Sequence, residues 1–215
     1  MDGYGRGFSR CLNGLGQLVV LSILWTVCCL PVVTIGASSA ALYYTAVKVV
    51  RRGRGSLLSS FFSCFRDCFW QSLHVNMFYL AAFAVLAFFA LPYLDGEDSA
   101  GGPVPYLLLG LAFLLLLPCV FSYPAISRFY HRGTALARFL LLLAGRHVHV
   151  GIACALLLLA CGALALSNGA ALLLAPGLCA FLQSLLLEPV FRRYSDPSDR
   201  EGCALWYGGD PDGPD

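Results

Sequence analysis

Apolar residues run through this chain in long uncharged blocks, and polar residues are gathered into short turns between them. Six helical segments follow from that pattern: residues 13–30, 37–50, 56–91, 105–130, 134–166 and 170–194. Each apolar core except the second approaches the roughly 20 residues needed to cross ~30 Å of hydrocarbon. The second holds only about 14 residues, or about 21 Å, and reads as a short span, a re-entrant arm or a surface helix. The expected fold is therefore all-α: a polytopic transmembrane bundle of five full spans plus one short or broken helix. Residues 1–194 form a single membrane domain. Residues 195–215 are polar and rich in Gly and Pro, and are expected to be a disordered tail.

The first break lies in "LPVVTIGASSAALYY", Leu30 to Tyr44. Pro31 lacks an amide proton and its ring clashes with the preceding turn, so the first helix ends or kinks there. Gly36 permits backbone angles that other residues resist, and Thr34 or Ser38 suits the cap of the restarting helix. Gly36 with Ala40, and Ala37 with Ala41, put small residues four apart, where another helix can approach closely. Two readings stay open. One is a tight hairpin turn at the outer interface. The other is a break at membrane depth, tolerated where it lines a cavity; its ligand-binding residues would be Thr34, Ser38 and Ser39, joined by Tyr123. A second Leu-Pro unit, "LPCVFSYPAISRFYHRG", faintly repeats the first.

The third segment starts as an amphipathic helix. Phe61, Phe65 and Phe69 fall on an apolar arc, opposite Ser59, Ser63, Arg66 and Asp67. Placed after the basic turn holding Arg51 and Arg52, it reads as a Phe-rich helix at the cytoplasmic interface, offering contacts to lipid or a partner. The alternative is an extended helix packed on its neighbours.

Composition sharpens this picture. Of 215 residues, 59% are hydrophobic and only 12% charged, and the mean hydropathy is +0.75; a soluble domain is nearer a quarter charged. A net charge of +2 is too small to suggest a nucleic-acid partner. Its placement matters more. "KVVRRGRG", "SRFYHRG" and "FRRY" are basic, whereas "DGEDSAGG" is acidic. Lys and Arg mark the cytoplasmic side, which puts the C-terminus inside, and Arg6 and Arg10 put the N-terminus inside too if segments one and two form a hairpin. A single span plus a surface helix would instead leave the N-terminus outside. No cleavable signal peptide is evident.

Candidate chemistry is sparse. Most of the ten cysteines lie in apolar blocks, where a thiol behaves as a small hydrophobe. Cys64 and Cys68 lack a second ligand pair at zinc spacing, so no metal or cofactor is expected. Glu188 stands four residues before Arg192, in the favourable order for a helix-surface pair. His147 and His149 point to different faces and make a poor metal pair. There is no nucleophile elbow, phosphate-binding loop or His-Glu-x-x-His pair, which argues against an enzyme.

One block carries a resemblance. "LWTVCCLPVVTIGASSAALYYTAVKVVRRGRGSLLSSFFSCFRDCFWQS", Leu24 to Ser72, resembles the N-terminal signature of the YesL-like family of small bacterial integral membrane proteins. "YPAISRFYHRGTALARFLLLLAGRH" and "EPVFRRY" fit more loosely, extending the likeness to about Leu12–Tyr194. The resemblance implies a Gram-positive cytoplasmic-membrane protein of unknown activity. It also implies an accessory role in carbohydrate uptake or sensing, beside an ABC permease or a sensor kinase. It supplies no catalytic residue and no ligand.

Overall fold

The computed structural model describes residues 2–94, 103–128 and 134–194, with side chains from residue 14 onward. The acidic loop, residues 129–133 of the second basic turn, and the polar tail lie outside the described residues. So do the side chains of Arg6, Arg10 and Arg192. The described residues form seven helices and no strand: α1 (Asp2–Cys28), α2 (Ile35–Thr45), α3 (Leu57–Leu94), α4 (Val104–Arg128), α5 (Thr134–Arg146), α6 (Val148–Ser167) and α7 (Ala175–Tyr194).

The segment expected to be short is the centre of the bundle. A 3₁₀ turn, Val32–Thr34, leads into α2, and a π-helical turn, Ala46–Arg51, continues it. The whole piece, Val32–Arg51, is 20 residues long, about 30 Å at 1.5 Å per residue. It packs on α3, α4, α1 and α7. Gly36, Ala37, Ser38, Ala40 and Ala41 are buried because small side chains let the neighbouring backbones close in. A Cβ on Gly36 would stand 2.9 Å from the Ser72 carbonyl oxygen of α3. Gly53, at φ +66°, stops the helix. Its amide donates to the Val49 carbonyl, the single bond of a left-handed C-terminal cap, and the Arg54 amide donates to the Lys48 carbonyl.

Among the described residues, four helices are long and apolar enough to cross a membrane: Val32–Arg51, Leu57–Leu91, Val104–Arg128 and Val148–Ser167. Within the described side chains, the apolar parts of the first and last helices run over Gly14–Cys28 and Ala175–Phe191. The second segment, expected to be short, thus reaches spanning length because it gains a turn at each end.

Two further expectations change. The segment 134–166 is two helices. His147 leaves helical geometry, at φ −124° and ψ 44°, and its carbonyl restarts the helix by accepting from the Val150 and Gly151 amides. The bend lets α5 bury Leu136, Leu140 and Leu143 while α6 closes on α4 through Gly151, where a Cβ would lie 2.9 Å from Leu117 Cδ2. The Phe-rich arc of α3 is likewise not an outward contact face. Phe61 is fully buried and Phe65 and Phe69 are half-buried. Phe61 stacks on Phe65 and packs with Leu21, Leu42 and Ala180. The exposed side instead carries Leu58, Phe62 and Trp70.

Candidate functional site

The helix break is a tight hairpin at one end of the bundle. Leu30, Pro31, Val32 and Val33 are exposed, and the polar groups behind them are closed on one another. The single Thr34 hydroxyl proton lies within reach of two carbonyls, Cys28 at 2.6 Å and Pro31 at 2.7 Å. The Ser38 hydroxyl donates back to the Thr34 carbonyl at 2.8 Å, and so accepts from the Cys29 thiol at 2.9 Å. From α3, the Asn76 amide donates to the Val32 and Val33 carbonyls at 3.1 and 3.4 Å. The Asn76 carbonyl oxygen in turn accepts from the Tyr123 hydroxyl of α4 at 3.1 Å. Asn76 therefore satisfies the carbonyls that the break frees, which otherwise cost about 1–3 kcal/mol each when buried.

Of the four residues expected to line a ligand site, two do face open space. Ser39 and Tyr123 line a cavity of about 350 Å³ bounded by α1, α2, α4, α6 and α7. Ser39 also accepts a hydrogen bond from the Trp25 indole at 3.2 Å. Thr34 and Ser38 are not among the lining residues, since their hydroxyls are turned onto the backbone of the break. The cavity wall is mostly aliphatic and aromatic, with the thiols of Cys119, Cys161 and Cys179 and the amide of Gln183.

Sequence reasoning missed a second polar cluster. Glu188 of α7 is 2% exposed and holds two arginines: Arg52, just past the π turn of α2, and Arg128, at the end of α4. Both N–O distances are 2.6 Å, and the Arg128 side chain is itself only 1% exposed. Arg51 adds a bond to the Ser184 carbonyl at 3.0 Å. The π turn helps bring two consecutive arginines onto α7, a use typical of such turns. The Arg128 guanidinium also lies over the Phe191 ring at 5.5 Å. Glu188 is thus a buried knot joining three helix ends, where a surface pair with Arg192 was expected. The signal available in sequence was weak: one acid among the basic residues at the end of the last apolar block.

Cys64 and Cys68 face each other at 3.8 Å, and no group of three metal-ligating side chains occurs among the described residues. At the α5–α6 joint, the Tyr194 hydroxyl lies 3.3 Å from His147 Nε2.

A family described as "Protein of unknown function, DUF624" has a model that matches residues 18–89. The match covers the C-terminal part of α1, the break, α2 and most of α3, and so includes Asn76 and the break it bonds. No curated protein matches, and no solved structure matches.

Proposed function

We propose that this chain is a YesL-like multi-pass protein of the bacterial cytoplasmic membrane, with both termini on the cytoplasmic side. In this reading it serves as a non-catalytic accessory or regulatory partner in carbohydrate uptake or sensing. The observation that carries it is the closed helix break. Thr34, Ser38, Asn76 and Tyr123 use their polar groups on one another and on the backbone, so the break reads as a rigid structural joint. The family match, residues 18–89, covers the stretch that carries the YesL-like resemblance, which supports that kinship and brings no activity with it. The partner is a carbohydrate ABC permease or a sensor kinase, engaged through helix packing in the membrane. Co-purification of the tagged protein from its native membrane should enrich one of these. Recovery of neither above an untagged control would count against the proposal.

A second reading, a small transporter or channel, would use the helix break itself, where residues 30–33 are exposed, since the apolar cavity lined by Ser39 and Tyr123 suits neither an ion nor a sugar. A cysteine placed at Thr34 in a cysteine-depleted background separates the two. Rapid labelling by a membrane-impermeant thiol reagent, with protection by added sugar, would favour transport. Labelling that sugar leaves unchanged, or no labelling of a normally inserted protein, would leave the accessory role ahead.

A further inference from the structure

The 350 Å³ cavity lies within the size range of small-molecule sites. At ~30 Å³ per water-sized group, it has room for about a dozen. Its wall includes Leu42, Val120 and Leu158, and none of its lining residues is charged. An ion placed there would be desolvated without a partner, which is strongly unfavourable. A sugar is equally unsuited, since each hydroxyl left unpaired costs about 1–3 kcal/mol.

One amide in the wall is not accounted for by the fold. Gln183 is 8% exposed and lines the cavity, and its side-chain amide has no hydrogen-bond partner among the described residues. Trp25 is engaged with Ser39 and Tyr123 with Asn76; the Tyr43 hydroxyl has no hydrogen-bond partner either, but it is fully shielded inside the bundle. A buried amide is retained against its desolvation cost when something completes it. It offers both a donor and an acceptor, matching one neutral hydroxyl.

We propose that this cavity is a binding site for a neutral, predominantly apolar molecule of about a dozen non-hydrogen atoms bearing one hydroxyl, a medium-chain alcohol in chemical class, with Gln183 reading the hydroxyl. The apolar body lies among Leu42, Leu158 and the cavity thiols. Leu158 and Gly162 of α6 are both wall residues and exposed, so the cavity opens beside α6 and the ligand arrives from the bilayer. The site stands independently of the accessory role.

Trp25 makes the site observable because it forms part of the wall. With Trp70→Phe and Trp206→Phe, it is the sole tryptophan of the chain. In lipid vesicles, 11-bromo-1-undecanol should quench it along a saturating curve. Ala165→Phe, which fills the cavity, should abolish the saturating component. Gln183→Met should weaken it about three- to tenfold, the loss expected for one neutral hydrogen bond. The matched bromoalkane without a hydroxyl should bind wild type and Gln183→Met alike. Elution as a monodisperse peak checks that each variant is folded, and Gln183→Leu replaces Gln183→Met if the latter is not. Quenching that never saturates and is the same in every variant would place the probe in the bilayer only and overturn the proposal. Quenching by a brominated phospholipid that the alcohol does not displace would mean that an acyl chain fills the cavity, with the same consequence.

Discussion

At the scale of single residues, the bundle depends on a few polar atoms whose partners are remote in sequence. Glu188 meets Arg52 across 136 positions and Arg128 across 60. Removing its charge leaves the Arg128 guanidinium, 1% exposed, without its buried carboxylate. Breaking one side of a buried pair costs about 3–5 kcal/mol. Glu188→Gln should therefore lower the thermal midpoint of the detergent-purified protein by many degrees, whereas Arg138→Gln, at an exposed position of α5, should leave it nearly unchanged. Equal melting of the two would remove the triad as a determinant of stability. The sequence alone suggested Arg192 for Glu188, because spacing along a helix is visible in a sequence and contacts between distant helices are not. Asn76 was overlooked for the same reason: an amide in an apolar block has meaning only once the freed carbonyls of Val32 and Val33 are beside it.

At the scale of elements, what could be read was the existence of each apolar helix, and what could not was how some of them join. The buried stripe of Leu136, Leu140, Leu143, Gly151 and Cys154 keeps helical spacing straight through His147, so periodicity gave one helix where the backbone makes two. Similarly, the Phe arc of α3 has the pattern of an interfacial helix, and only the presence of α1, α2 and α7 against it makes Phe61 core. Pro31 ended a helix as expected, whereas Pro118 and Pro124 sit within α4; the Ser122 hydroxyl bonds the Pro118 carbonyl and accepts from Tyr79, holding the locally altered turn. Two predictions belong here. Gly36→Ala brings its Cβ 2.9 Å from a backbone oxygen that cannot rotate away, and should destabilise by roughly 1–3 kcal/mol, read as a lower thermal midpoint; the same change at exposed Gly162, with nothing near its Cβ, should not. At the α5–α6 joint, burial, helped by neighbouring His149, Arg193 and Arg146, holds the pKa of His147 below its ordinary value. The fold thus favours the neutral ring, whose Nε2 can accept from Tyr194. That contribution is complete above an unfolded pKa of about 6.5 and is lost as pH falls from there through the lower folded value. Thermal midpoints measured from pH 8 to 5 should fall more steeply in wild type than in His147→Gln. Parallel profiles would refute this.

At the scale of the whole molecule, the contacts of Glu188 bring the C-terminal ends of α2, α4 and α7 together, and the His147–Tyr194 contact adds the start of α6 to the same end. Arg51, Arg52 and Arg128 therefore gather at one end of the bundle. If that end is cytoplasmic, a cysteine at Ser56 in a cysteine-depleted protein should resist impermeant reagents applied to intact cells, and one at Ser99 should react. The reverse pattern would invert the proposed orientation. The class of fold was legible because lipid imposes a compositional demand on every span; the central position of α2 was not, because its burial reflects which neighbours surround it more than how apolar it is. The triad has a consequence in time as well as in space. A ribosome delivers Arg52 and Arg128 long before Glu188, so the emerging chain carries both cations into the membrane before the acid that joins them exists. The last helix is then the keystone of assembly: until it arrives, Arg52 and Arg128 lack the carboxylate that joins them.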